Sequence, residues 1–308
     1  MGIAKKKTRI GVCFNGRQTP GGHNIISSLF DGDNCQVFGF IDGTQGLFKG
    51  DFVEIREDGF NFYRNQSGFH YLGRSADKLR SETEKEMTLT TCQKLDLDGL
   101  ILVGASHTLY DALHLSEYFL VKQCKTKVVA LPASIDNTVY HSQLEVSVGF
   151  SSSSHLYSTL IANLMTDASS NTKYWYFIRL MGRDPSNLAL ECALATHPNL
   201  VLISEEVESL GWDIEEVIGE CVRVITEREF KGLGFGCIII PEGLINSLPS
   251  IKRIVKEMDS IKSDVQEEIL KKLSPWSRSK YESLPDFIQK QLREKDNTNA
   301  LALSQIET

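Results

Sequence analysis

The sequence predicts an α/β fold of doubly wound parallel sheets, and three features carry that expectation. Seven apolar runs of four to seven residues recur between positions 9 and 240, rich in Val and Ile and continuous rather than alternating. This is the pattern of strands buried on both faces of a parallel sheet. Longer amphipathic segments with helical spacing separate the runs, and several runs break directly into turns bearing Gly, Pro or Ser. In such folds ligands bind at the carboxyl ends of the strands, where these turns lie.

In chain order, the first run (9–14) enters the turn Asn15-Gly16-Arg17-Gln18-Thr19-Pro20-Gly21-Gly22-His23-Asn24 and then a helical pattern over 24–30. A second run covers 35–41. A helix over 81–95 leads to the run 99–103, a helix over 108–122 to the run 127–131, and a helix over 144–167 to the run 175–180. The alternation continues with a helix over 186–196, the run 200–203, a helix over 213–228 and the run 237–240. After Pro241-Glu242-Gly243 the chain turns charged and helical from about 248 to 292, with no further strand-like run. That tail reads either as a surface helical extension or as an insert.

Composition excludes several roles. The 308 residues carry a net charge of -7 with no basic block, which argues against nucleic acid as the partner. No apolar stretch has the length of a membrane span, and the opening Met-Gly-Ile-Ala-Lys-Lys-Lys lacks the apolar core of a secretory signal. Lys6 stands where a myristoylation signal has Ser or Thr. Seven cysteines without C-x-x-C spacing, mostly inside apolar runs, read as small buried hydrophobes in a reducing compartment. The expectation is a soluble cytoplasmic protein.

The opening turn has the form of a phosphate loop. Backbone N–H groups freed at a helix start, with the positive end of the helix dipole, favour an anion, and Gly16, Gly21 and Gly22 let the backbone approach one. Arg17 sits where bare backbone would normally face the ligand. The spacing is neither G-x-G-x-x-G nor G-x-x-x-x-G-K-[ST], because Arg17 follows Gly16 and His23 follows Gly22. Glycine-rich turns also simply close tight corners in α/β domains, so on these residues alone both readings stand.

The remaining turns are Gly73-Arg74, Gly104-Ala105-Ser106-His107, Pro132-Ala133-Ser134-Ile135-Asp136-Asn137-Thr138, Met181-Gly182-Arg183 and Pro241-Glu242-Gly243. With the opening loop, the segments Lys-Tyr-Trp-Tyr-Phe-Ile-Arg-Leu-Met-Gly-Arg (173–183) and Leu-Ala-Leu-Glu-Cys-Ala-Leu-Ala-Thr-His-Pro-Asn (188–199), and Glu205-Glu206-Val207, this set resembles the phosphofructokinases of the long, pyrophosphate-dependent type over nearly the whole chain. The resemblance implies two Rossmann-like domains, a phosphoryl-donor domain over 1–140 and a fructose 6-phosphate domain over 141–247, followed by a helical extension over 248–308. It also implies a longer chain, so the sequence is expected to be incomplete.

The resemblance further implies transfer of a phosphoryl group to the 1-hydroxyl of fructose 6-phosphate, with Mg2+ as the family's metal. On the sugar side, Met181, Gly182 and Arg183 match the segment lining the sugar phosphate, and Glu242 matches an acceptor for sugar hydroxyls. A surface ion pair for Arg183 and a helix-start carboxylate for Glu242 are the plainer alternatives. Asp136 in Ser-Ile-Asp is similar to the family's Thr-Ile-Asp, whose aspartate is the general base, and Ser134 keeps the hydroxyl. A turn-forming aspartate is the alternative there. The phosphate-loop set is Gly16, Arg17, Gly21, Gly22, Arg74 and Gly104.

The donor side departs from the family. Ser106 and His107 stand where the family has Asp followed by Asp or Gly, the first of which holds Mg2+. Ala133 replaces the lysine of pyrophosphate users, Thr138 replaces a second aspartate, and Arg17 replaces a glycine. Neutral hydroxyls and an imidazole make a poor Mg2+ site, so no metal or other cofactor is expected on this chain. Arg17 and His107 together offer an anion site as a further reading. The pattern is similar to the regulatory alpha subunits of the glycolytic, oligomeric pyrophosphate-dependent enzymes. It implies an allosteric, catalytically deficient phosphotransferase subunit that binds fructose 6-phosphate or a related sugar phosphate beside a catalytic homologue or fused domain, without nucleic acid or membrane. An active 6-phosphofructokinase with an unconventional donor site is the alternative. A nicotinamide dehydrogenase is disfavoured by the absent fingerprint.

Overall fold

The computed structural model describes residues 7–32, 35–66, 68–75, 77–139, 141–183, 185–261, 270 and 272–293. The opening six residues up to Lys6 and the closing segment 294–308 of the expected extension lie outside the described residues. The chain divides into two compact units, Met1–Ser153 and Ser154–Thr308.

The first unit contains β1 (Thr8–Phe14), α1 (Gly22–Asp31), β2 (Cys35–Phe40), α2 (Thr44–Lys49), β3 (Phe52–Ile55) and α3 (Glu57–Phe60) with a 3-10 turn at Asn61–Tyr63. These are followed by α4 (Glu82–Lys94), β4 (Gly99–Gly104), α5 (Ser106–Val121), β5 (Lys127–Pro132) and the start of α6 (Phe150–Asn171). The sheet order is β3-β2-β1-β4-β5, parallel except for β3, which pairs antiparallel with β2. Alternate residues of β1 feed opposite faces. Val12 and Phe14 join a core with Ile26, Val37 and Val103, while Cys13 joins one with Phe40, Leu100 and Leu115. Strand β1 is thus buried on both faces, as its unbroken apolar run requires.

The second unit holds the rest of α6, then β6 (Trp175–Leu180), α7 (Asn187–Thr196), β7 (Leu200–Val201), α8 (Ser204–Leu210), α9 (Ile214–Phe230) and β8 (Gly236–Pro241). After β8 come α10 (Leu244–Ser247), α11 (Pro249–Ser260), α12 (Pro275–Ser283) and α13 (Asp286–Arg293). Its sheet is parallel in the order β6-β8-β7.

Several expectations are corrected. Strand β3 was not expected; it is a short antiparallel edge strand whose more exposed and more buried positions alternate. The helix expected over 144–167 begins later, at Phe150, because Val148 pairs with the strand end at Pro132 and Ser134. Strand β7 shrinks from four expected residues to two. Burial on both faces fails at the sheet edges, where Val129 of β5 is 50% exposed and Phe177 of β6 56%. The described helices of the tail are packed into a core rather than laid on the surface. Ile251, Ile254 and Met258 of α11 and Tyr281 of α12 share one core with Ile238 of β8 and Val217 of α9.

Candidate functional site

The loop after β1 is held from two sides. Asn15 N–H donates to the Val103 carbonyl at the end of β4 (2.8 Å), and Gly16 N–H donates to the Ser75 carbonyl (2.8 Å). Arg74 donates from a guanidinium nitrogen to the Gly16 carbonyl at 2.7 Å, so its cation lies on the loop itself. Gly16 has φ +74° and open space where a side chain would project. Gly21, with φ +85°, precedes α1, and no side chain caps that helix start. Gly22 serves packing instead: a Cβ there would lie 2.2 Å from the Phe69 ring, which stacks on Phe14. Arg17 is half-buried in the same loop.

The second loop joins β4 to α5. A Cβ on Gly104 would meet Thr108 Oγ1 at 2.2 Å and the Asn15 carbonyl at 2.7 Å, so this glycine lets the two loops touch. Ser106 and His107 occupy the first two positions of α5, a helix start with no acidic residue and no side-chain cap. His107 is exposed, and the Ser106 hydroxyl bonds the Thr138 hydroxyl at 3.1 Å. That contact ties this loop to the one after β5. There Ala133 is buried in the β1 core, its N–H donating to the Gly104 carbonyl at 3.0 Å. The Ser134 hydroxyl accepts the Asp136 N–H at 3.0 Å, and Asn137, at φ +49°, accepts the Ser147 N–H at 2.9 Å. Asp136 sits half-buried at the bend these bonds define.

The three loops therefore form one surface at the carboxyl ends of β1, β4 and β5. Its donor set fits Mg2+ poorly. Ser106 and Thr138 supply hydroxyls and His107 an imidazole where a hard cation takes charged oxygens. Among the described residues no group of three or more His, Cys, Asp or Glu gathers where a metal ion would bind. Deeper in α5, Asp111 is buried, with Oδ2 lacking a hydrogen-bond partner among the described residues. It lines a cavity of about 280 Å³ with Arg80, Lys85, Tyr110 and His114. Burial raises the Asp111 carboxyl above its ordinary range, against the Leu79 N–H and the charges of Arg80, His107 and Lys78.

In the second unit, β6 and β8 end side by side with Leu180 opposite Pro241. The Glu242 N–H donates to the Leu180 carbonyl (2.8 Å), and the Glu242 carboxylate accepts the Gly182 N–H at 3.0 Å. Gly182 has φ +136°, a conformation that L side chains rarely adopt. Gly243 packs on the same turn: a Cβ there would lie 2.3 Å from the Arg183 carbonyl. Glu242 thus shapes the Met181-Gly182-Arg183 turn directly. Met181 is 48% exposed, and Arg183 is half-buried with Nε lacking a partner among the described residues. Tyr157 of α6 faces this corner; burial pushes its phenol up, and Cys192 and Glu242 add to the shift.

The structure gathers Gly16, Arg17, Gly21, Arg74, Gly104, Ser106, His107, Ser134, Asp136 and Thr138 in the first unit, and Met181, Gly182, Arg183 and Glu242 in the second. Sequence reasoning missed Tyr157, which an amphipathic helix does not distinguish from packing. It also gave His23 no role, although a histidine in the first turn of a helix that follows two glycines was a visible signal.

The phosphofructokinase family model matches residues 9–279. The alpha 1 subunit of pyrophosphate–fructose 6-phosphate 1-phosphotransferase from Arabidopsis thaliana is 39% identical, over 97% of this chain and 50% of its own length. The beta 1 subunit from the same plant is 38% identical, over 98% of this chain and 55% of its own length. The chain therefore spans about half the length of these curated relatives. Among solved structures, a pyrophosphate-dependent phosphofructokinase from Marinobacter aquaeolei superposes with a TM-score of 0.63 at 16% identity, covering 77% of this chain and 60% of that one.

Proposed function

Because this chain belongs to the phosphofructokinase family, we propose that it is the sugar-phosphate-binding, donor-deficient part of a pyrophosphate–fructose 6-phosphate 1-phosphotransferase, acting as a regulatory subunit beside a catalytic homologue. One observation carries the reading. The Ser106–Thr138 hydroxyl pair and the buried Ala133 occupy the donor loops where phosphoryl transfer from pyrophosphate needs carboxylates and a cation, while the Glu242–Gly182 contact keeps the sugar-side turn assembled.

On this reading Arg183 holds the 6-phosphate of fructose 6-phosphate, Gly182 lets backbone approach it, and Glu242 accepts from sugar hydroxyls while fixing the turn. Arg17, Arg74 and the open face of Gly16 offer an anion a cradle without metal. Positioned general bases contribute about 10²–10⁴ in rate, so Asp136 alone does not replace the lost charge stabilisation. The persistence of Asp136 at a fixed bend supports a second reading, an active 6-phosphofructokinase with an unconventional donor site.

The two readings separate in one experiment. Calorimetry with fructose 6-phosphate is expected to give binding that Arg183→Ala abolishes, with no turnover by the chain alone and altered turnover when it is mixed with a catalytic homologue. Turnover by the chain alone at ordinary rates overturns the regulatory reading and favours the second.

A further inference from the structure

His23 is the second residue of α1, immediately after the glycines of the opening loop, and it is completely buried. Its ring is enclosed by other rings: Phe60 of α3 at 5.9 Å, Tyr63 of the 3-10 turn at 5.3 Å, and His70 at 4.5 Å, all edge-on. Nε2 accepts the backbone N–H of Tyr71 at 3.3 Å, so in the neutral ring the proton belongs on Nδ1. The segment it grips is the one that reaches the loop. Leu72 and Gly73 N–H groups turn back onto the Phe69 carbonyl (3.3 and 2.9 Å), Phe69 packs on Gly22, and the next residue, Arg74, bonds the Gly16 carbonyl.

We propose that His23 is a pH-sensitive latch for the opening loop: as a neutral imidazole it holds residues 68–74, and through them Arg74 on Gly16, against the start of α1, and taking up a proton releases that segment. An imidazolium cannot accept the Tyr71 N–H, since both ring nitrogens then carry protons. Its charge would lie beside the positive end of the α1 dipole. The groups facing it are Tyr63 from the 3-10 turn, and His70, Tyr71 and the Gln66 backbone from the segment that follows. None is a carboxylate, and burial, then Tyr63, raises Tyr71 so that it stays a neutral phenol. Burial, then His70, lowers His23 below its ordinary value of 6.5, with the Gln66 backbone opposing.

The sign follows from that lowering. Both latched and released forms are neutral above about 6.5, so the latch is whole there. Below it the released form takes the proton first, and release grows by up to about tenfold per pH unit until the latched ring also titrates.

Hydrogen exchange on the intact chain between about pH 8 and about pH 5.5, corrected for intrinsic chemistry, tests this. Amides of 68–74 are expected to lose protection steeply below about pH 6.5 while those of β4 do not. His23→Gln, which keeps a neutral acceptor, is expected to flatten that dependence, whereas His70→Gln shifts it and leaves it present. A flat profile in the unmodified chain, or an unchanged slope in His23→Gln, overturns the latch. Imidazole nitrogen NMR of the unmodified chain decides independently of any variant: a proton on Nε2 of His23 at neutral pH overturns it, and the Nδ1–H tautomer supports it.

Discussion

Gly22 and Glu242 each constrain a loop through a close contact. With the Phe69 ring 2.2 Å from the site of a Gly22 Cβ and that ring stacked on Phe14, Gly22→Ala has no room to relax. It is expected to cost about 1–3 kcal/mol in chemical denaturation. Glu242→Ala removes the acceptor of the Gly182 N–H and is expected to weaken fructose 6-phosphate binding roughly tenfold by calorimetry, with Glu242→Gln, which keeps an acceptor, weakening it less. Asp111 gives a prediction of opposite sign. A carboxyl raised in the folded state contributes stability below its unfolded value of 3.8 and loses that contribution as pH rises through the folded value. Asp111→Asn is therefore expected to raise the melting temperature at neutral pH, with the gain fading below about pH 4.

At the scale of elements, the helix start at α5 governs the donor side. Its first turn carries Ser106 and His107 and no acidic residue, so Ser106→Asp places a carboxylate at the positive end of the dipole. That is expected to stabilise the chain by about 0.3–1 kcal/mol near neutral pH in thermal melts, and the gain disappears as the new carboxylate protonates near about pH 4. The same variant tests the metal question, since Mg2+ is expected to raise its melting temperature more than that of the unmodified chain. Other helix ends are settled by their own side chains. Ser81 with Glu84 at α4 and Asp213 with Glu216 at α9 form reciprocal caps, which fix where these helices begin.

At the scale of the whole molecule, each unit has its own core, and the C-terminal helices belong to the second. Ile254 of α11 is fully buried with Ile238 of β8. Ile254→Ala is expected to cost about 2–5 kcal/mol in denaturant unfolding, a loss that a surface helix would not feel. Tyr281 of α12 is buried as well and donates to the Gln289 carbonyl at 3.1 Å, joining α12 to α13 within that core.

By itself the sequence determined the alternation of strands and helices, the loops that carry the candidate residues, and the family to which the chain belongs. Each rests on local periodicity or on a short motif at a strand end, so each is legible without tertiary contacts. Strand β3 was not legible, because a run of four residues interrupted by Glu54 gives too short a signal until β2 supplies a partner. The role of the tail was hidden too, since an amphipathic helix shows which face is apolar but not what covers it. Only the tertiary structure decided that Gly22 and Gly104 are glycines for packing, that Glu242 holds the Arg183 turn, and that His23 grips the backbone before Arg74. Those depend on contacts between residues dozens of positions apart, and no spacing along the chain encodes them.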